Sequence, residues 1–202
     1  MNYERLAVCG MLASVIFVSS VANAAVVVDL TQVGSDVVAT ANGTLDLTGL
    51  TSQGNFGLAE SVRGNIAYIG LGSVGLVTGY SGLTGPGSFG TGSTFIPSNA
   101  FAGTSFALNG SAFGTPYVFV PVGYVSGSAI SGTATFFGQT VASLGLIAGR
   151  YSYTSRADSV TVNVRGAVPE PSTWAMMLLG ISGIGTVMRR RRKPAAARLL
   201  IA

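Results

Sequence analysis

The chain has 202 residues and a formal net charge of +4, yet only 9% of its residues are charged. It contains no histidine and its one cysteine is Cys9, so the rest of the chain cannot form a serine–histidine–aspartate or cysteine–histidine catalytic site. Six basic residues and no acidic ones lie between Trp174 and Ala202. The positive charge therefore belongs to the C-terminal tail and indicates membrane orientation rather than nucleic-acid binding.

The first 24 residues have the pattern of a secretory signal peptide. Residues 6–18 are apolar, and Ala22-Asn23-Ala24 is a small-x-small site of the kind that signal peptidase cleaves. We therefore expect export, with Ala22 and Ala24 as the recognised positions. The alternative is an uncleaved N-terminal anchor.

Residues 25–166 are expected to form one secreted, glycine-rich β domain. This segment of 142 residues is long enough for a single core, and it contains 25 glycines. Its five acidic and four basic residues give it a net charge of −1, and no charged residue occurs from Gly64 to Gly149. A surface without charge repulsion associates readily, which suits a surface or matrix protein. Compositional drift in an ordinary secreted domain is the alternative.

Short runs of β-forming residues separated by glycine-rich turns predict strands throughout this domain. Asn42-Gly43 and Asn109-Gly110 predict tight turns, and residues 70–92, with nine glycines, predict a long loop or two weak hairpins. Pro116 and Pro121 predict that their strand lies at an edge or carries a bulge. The fold class is therefore all-β, a β-sandwich of jelly-roll type. The predicted strands cover residues 25–30, 44–48, 65–69, 101–108, 116–125, 129–137, 141–147, 150–154 and 158–164.

The domain offers little chemistry for an enzyme. Gly70 to Gly75 matches the dinucleotide pattern GxGxxG, but a poor helix former follows and no acid occurs between Glu60 and Asp158. We therefore expect no cofactor. Nothing in the spacing of the five carboxylates pairs two of them for glycoside hydrolysis. They are Asp29, Asp36, Asp46, Glu60 and Asp158.

Two binding functions stay open as alternatives. The first three aspartates could hold a structural calcium ion, although no calcium-loop pattern is present, and we expect no metal site. Several aromatic residues could form a sugar-stacking face, although core and cross-strand packing explains them as well. These aromatic residues are Tyr117, Phe119, Tyr124, Tyr151 and Tyr153.

The last part of the chain has three ordered features. Pro169-Glu170-Pro171 forms a hinge that we expect to be non-helical, because its two prolines lack amide donors and keep their neighbours extended. An uncharged stretch follows from Trp174 and Ala175 to Met188, and we expect a transmembrane helix there. A basic run then forms a membrane stop on the cytoplasmic side. The basic run consists of Arg189, Arg190, Arg191, Arg192 and Lys193.

Together these features resemble the PEP-CTERM sorting signal of Gram-negative bacteria, in its Trp-Ala variant. The resemblance covers residues 167–193, and a simple C-terminal anchor is the alternative. Residues 194–202 continue past the point where such signals usually stop. The resemblance implies recognition by exosortase, a membrane-embedded cysteine protease. It also implies removal of the tail and delivery to the cell surface or the polysaccharide matrix.

We therefore expect a signal peptide (1–24), a secreted domain (25–166), a sorting signal (167–193) and a cytoplasmic tail (194–202). The protein would cross the inner membrane, be held briefly by a single-pass anchor, and then reach the surface or matrix. Signal peptidase and exosortase are the expected processing partners, and exopolysaccharide is a further one. The expected function is structural or adhesive in a biofilm and not enzymatic. A carbohydrate-binding module is the alternative, followed by a polysaccharide-acting enzyme.

Overall fold

A computed structural model describes residues 25–167 and 171–191. This part of the chain contains thirteen strands, one 3-10 turn at Gly64–Ile66 and one α-helix. In chain order the elements are β1 (Ala25–Val33), β2 (Asp36–Thr44), β3 (Thr51–Gly57), β4 (Ser61–Arg63), β5 (Tyr68–Leu71), β6 (Leu76–Ser81), β7 (Ile96–Pro97), β8 (Ala100–Gly103), β9 (Phe106–Ala112), β10 (Thr115–Pro121), β11 (Ala129–Phe136), β12 (Gly149–Thr154), β13 (Ser159–Arg165) and α1 (Pro171–Arg191).

The strands form two sheets. The first sheet has six strands in the order β12-β13-β1-β2-β11-β8, and the second has seven in the order β3-β6-β10-β9-β5-β4-β7. All strand pairs are antiparallel except β1 with β13, which run parallel with Ala25 opposite Ser159. This pair joins the beginning of the folded segment to its end. The all-β expectation is confirmed, while the parallel pair and the number of strands differ from an eight-stranded antiparallel jelly roll.

The main core lies between the two sheets. Strand β1 buries alternate residues, as a strand with one covered face should, and Val160, Val162 and Val164 of β13 point into the same core, as predicted. The core residues from both sheets form one buried cluster, so the sheets pack face to face as a β-sandwich. Every buried member of that cluster lies between Val26 and Val164. The proposed domain boundaries themselves stay a prediction.

A second, smaller apolar cluster covers the outer face of the seven-stranded sheet. Phe56, Leu58 and Ile66 pack over it and leave its members mostly covered. The cluster consists of Tyr68, Val77, Ala107, Ala112, Tyr117 and Phe119.

Four predicted strands are confirmed, at residues 25–30, 129–137, 150–154 and 158–164. The predicted strands at 44–48 and 141–147 are wrong. Residues 141–147 form successive turns, although Leu144 and Leu146 are still buried in the main core. The expected strand at 65–69 is a 3-10 turn followed by β5.

The two Asn-Gly pairs do not form the predicted tight turns. Gly43 lies in β2, where a Cβ atom would stand 2.0 Å from the carbonyl oxygen of Ala25. Gly110 lies in β9, where a Cβ atom would stand 2.3 Å from the carbonyl oxygen of Pro86. Close approach of another backbone therefore explains glycine at both positions, and chain reversal does not.

Residues 70–92 were expected to form a long loop or two weak hairpins, but they include β6, which is hydrogen-bonded between β3 and β10. Pairing on both sides therefore overrides the weak local preference. Strand β10 was expected at an edge or at a bulge. It lies inside the sheet, between β6 and β9, and the register shifts between Thr115 and Tyr117. The bulge is confirmed and the edge position is wrong.

Candidate functional site

The C-terminal helix contains most of the expected sorting signal. It begins at Pro171 and ends at Arg191, so it includes Trp174 and Ala175. Proline is well tolerated at the first position of a helix, where its missing N–H would have no partner. Pro171 therefore belongs to the helix rather than to a non-helical hinge, which corrects the expectation for that residue. Pro169 and Glu170 lie outside the described residues, as do Arg192 and Lys193.

The apolar side chains described in α1 are exposed. Met176, Leu179 and Ile184 are each more than 60% exposed. Among the described residues, none of the helix's apolar side chains belongs to either buried cluster of the sandwich. The helix is therefore not part of the folded core.

Within residues 25–167 and 171–191, no helix is both long enough and apolar enough to cross a membrane. The expected transmembrane helix over residues 167–193 is thus not found. The expected signal peptide, with its cleavage positions Ala22 and Ala24, lies outside the described residues.

The three aspartates that suggested a calcium site have separate partners. Asp29 pairs with Arg165 at 3.1 Å and accepts a hydrogen bond from Asn163. Asp36 accepts one from the backbone N–H of Gly138. No group of three potential metal ligands occurs among the described residues. The possible calcium site is therefore not supported.

Asp46 and Asp158 form one polar cluster that closes a loop. Asp46 accepts hydrogen bonds from Thr48 and Ser126, and the bonds from Thr48 are the main cause that holds its pKa below the ordinary value. Asp158 is buried and accepts a hydrogen bond from the backbone N–H of Asp46, and burial raises its pKa. In the same loop, the Tyr124 hydroxyl accepts a hydrogen bond from the backbone N–H of Leu45 and donates one to the Leu45 carbonyl oxygen. Both carboxylates are thus engaged in holding the fold.

The five aromatic residues proposed as a sugar-stacking face do not share one face. Tyr117 and Phe119 lie on the outer face of the seven-stranded sheet, and their rings stack at 6.0 Å. Tyr153 is fully buried between the sheets and donates to the carbonyl oxygen of Pro86 at 2.7 Å. Tyr151 packs against the same inter-sheet core. Core packing therefore explains Tyr151 and Tyr153, and the single aromatic face is wrong.

The GxGxxG pattern is followed by strand β6 and not by a helix. Without a helix N-terminus after the glycines, this segment lacks the geometry that binds a pyrophosphate.

One cleft was not predicted from the sequence. It has a volume of about 590 Å³ and lies where β4 pairs with β7, with Ser61 opposite Pro97. The backbone N–H of Ser98 donates to the carbonyl oxygen of Glu60 at 2.8 Å, which fixes the two walls together. The lining residues are Ala59, Glu60, Ser61, Phe95, Pro97, Ser98 and Phe101.

This cleft combines unsatisfied polar atoms with exposed rings. Glu60 Oε1 and Ser98 Oγ are buried and have no hydrogen-bond partner. Phe95 and Phe101 are 46% and 43% exposed. Tyr68 stands beside the cleft: burial raises its pKa to about 12, and the charge of Glu60 adds to the rise. No sequence pattern marked these residues, because they come from separate parts of the chain that only the fold brings together.

A model of the PEP-CTERM protein-sorting motif matches residues 167–193. No curated protein and no solved structure matches the chain. The match begins just before α1 and covers the whole helix and the basic run. This motif implies export, processing by exosortase, and a cell-surface or extracellular location in Gram-negative bacteria. The chain therefore carries a PEP-CTERM protein-sorting motif at residues 167–193.

Proposed function

We propose that this protein is a non-enzymatic structural or adhesive component of the bacterial surface or of a biofilm's exopolysaccharide matrix. The observation that carries the proposal is the sorting motif at residues 167–193, because it directs its cargo out of the cell. Signal peptidase would remove residues 1–24, and exosortase would process the tail. The folded β-sandwich would be the part that remains.

The surface composition supports this role. No charged residue occurs between Gly64 and Gly149, so most of the sandwich surface is wetted by hydroxyl, amide and backbone groups. Such a surface lacks the charge repulsion that keeps most soluble proteins apart. It can therefore pack closely against neutral polymers and against other copies of the chain.

The carboxylates support a role other than catalysis. Asp29, Asp36, Asp46 and Asp158 each accept hydrogen bonds or pair with a cation within the fold. Glu60 is the one carboxylate among the residues that line the cleft. Glycoside hydrolysis generally needs two carboxylates that face each other across the bond. A polysaccharide-acting enzyme is for this reason the weakest alternative, and carbohydrate binding at the cleft is the strongest.

Matrix fractionation tests the proposed role. The gene would be expressed in a host that has exosortase, with and without its exopolysaccharide synthesis genes. We expect the protein to be held in the matrix fraction in the first strain and released into the medium in the second. Equal release from both strains would contradict a matrix role while leaving sorting intact.

A further inference from the structure

The cleft beside β4 and β7 holds two polar groups that the fold leaves unsatisfied. Glu60 Oε1 and Ser98 Oγ are both shielded from solvent and lack hydrogen-bond partners. They are the only such side-chain atoms among the described residues. Burying a carboxylate oxygen without a donor costs free energy, so an orphan of this kind calls for an explanation. A ligand that brings hydrogen-bond donors into the cleft would supply one, with the Glu60 and Ser98 side chains turning their shielded oxygens toward it.

The cleft walls indicate what shape that ligand has. Phe95, Pro97 and Phe101 line the cleft and are exposed, so their apolar surfaces are available for contact. Ligand sites typically combine such apolar walls with a few convergent polar groups. A sugar ring matches both features, because its C–H face can lie against an aromatic ring while its hydroxyl groups point to the side. Those hydroxyl groups would donate to Glu60 and exchange hydrogen bonds with Ser98.

The charges around the cleft indicate that the sugar is neutral. The guanidinium of Arg63 lies 5.0 Å from the centre of the Phe95 ring, so a cationic sugar on that ring would meet a like charge. The carboxylate of Glu60 would repel a uronic acid in the same way. For either charged sugar one attraction is offset by one repulsion, so neither gains a net electrostatic advantage over a neutral one. Among the described residues that line the cleft there is no second carboxylate, which favours binding over hydrolysis.

We propose that this cleft binds a neutral sugar unit of a polysaccharide. The Phe95 and Phe101 side chains would pack against the sugar ring, and Glu60 and Ser98 would accept hydrogen bonds from its hydroxyl groups. The inference deepens the proposed matrix role and rests on it for its biological meaning. The binding itself requires no sorting, so the two can fail separately.

The experiment uses the full chain, purified in a zwitterionic detergent that contains no sugar. Titration calorimetry would measure binding of neutral hexasaccharides of glucose, mannose and galactose, with a glucosamine and a guluronate hexasaccharide as charged probes. We expect saturable binding of at least one neutral probe and weaker binding of both charged probes. Absence of saturable binding to all the neutral probes, or tighter binding of a charged one, would overturn the proposal.

Variants locate the site. Glu60→Gln and Phe95→Ala should each weaken binding by about tenfold or more. The first replaces a charged hydrogen-bond acceptor by a neutral amide, and the second removes the ring contact. Phe113→Ala is the matched control: Phe113 is an exposed ring at 81%, packed on Tyr117 away from the cleft. It should keep wild-type affinity. An equal loss in Phe113→Ala and Phe95→Ala would place the sugar elsewhere and overturn the proposal.

Ser98→Ala separates binding from folding. Removing a buried hydroxyl that has no partner should leave the melting temperature unchanged or higher, while binding weakens. A merely structural role for Ser98 would not produce that combination. If Ser98→Ala and Glu60→Gln both fold and keep full affinity, the cleft is not the sugar site.

Discussion

Asp158 accepts a hydrogen bond from the backbone N–H of Asp46, with 2.6 Å between Oδ2 and the amide nitrogen. Its other oxygen, Oδ1, accepts from the backbone N–H of Ser159, also at 2.6 Å. One buried carboxylate thus joins the loop that follows β2 to the turn between β12 and β13. The two aspartates of this contact respond to pH in opposite directions, which makes the contact testable.

We expect the stability contributed by Asp158 to fall as the pH rises. Desolvation raises its pKa above the ordinary 3.8, outweighing the hydrogen bonds that lower it. Between 3.8 and the raised pKa, the folded protein keeps a proton that the unfolded chain has released, so stability decreases with pH through that window. Urea unfolding of the wild type and of Asp158→Asn, from about pH 3 to about pH 7, should show the wild type's advantage shrinking.

Asp46→Asn is the control, because its effect on stability should have the opposite pH dependence. Hydrogen bonds from Thr48 lower the pKa of Asp46, so its contribution is present above the ordinary pKa of 3.8 and is lost as the pH falls through the lowered value. The wild type's advantage over this variant should therefore grow with pH. If both variants show the same direction, the account of this contact is wrong.

Gly43, the one glycine of β2, should be hard to replace. A Cβ atom there would stand 2.0 Å from the carbonyl oxygen of Ala25, and φ is +135°. Gly43→Ala should therefore destabilise the protein by more than about 2 kcal/mol, because β1 and β2 must separate. Gly34→Ala is the matched control, since Gly34 also has a positive φ, +59°, but nothing lies within 4 Å. It should cost about 1 kcal/mol in chemical denaturation. Equal losses would contradict the close-approach explanation.

The stability that Tyr153 contributes should come from its hydroxyl group as well as from its ring. The hydroxyl donates to the carbonyl oxygen of Pro86 at 2.7 Å, and burial raises the pKa of this phenol. Tyr153→Phe should lower the free energy of unfolding by about 1 to 2 kcal/mol, because the Pro86 carbonyl loses its donor. Tyr80→Phe serves as control, since no hydrogen bond of the Tyr80 hydroxyl is found among the described residues, and it should change stability little. A neutral result for Tyr153→Phe would show that the loop at Pro86 does not need this bond.

The alternation of buried and exposed side chains within a strand could be predicted from the sequence. This prediction was most reliable near the end of the sandwich. Val160, Val162 and Val164 alternate with polar residues, and all three are buried as expected. Glycine was less informative. Gly43 and Gly110 follow asparagine as turn glycines do, yet each is needed because a distant backbone passes against it. A pattern of neighbours along the chain carries no information about that approach.

The two candidate sites also differ in whether the sequence alone can reveal them. The sorting motif is a contiguous stretch, so its residues could be recognised without any structure. The cleft joins Glu60 to Phe95 and Phe101, which lie at least 35 positions further along the chain. The pairing of β4 with β7 brings Phe95 near Glu60, and Phe101 comes from β8 in the other sheet. The polar and aromatic residues involved are individually unremarkable, so no spacing rule would have selected them.

Exchange of the sorting motif tests the central claim most directly. Pro169-Glu170-Pro171 would be replaced by three alanines, and the mass and location of the protein followed in a host that has exosortase. Pro194→Ala, just outside the matched residues, is the control. We predict that the wild type and the control lose the tail and reach the surface or the medium, while the triple variant keeps the tail and stays with the cells. Trimming and release of the triple variant at the wild-type level would contradict the account.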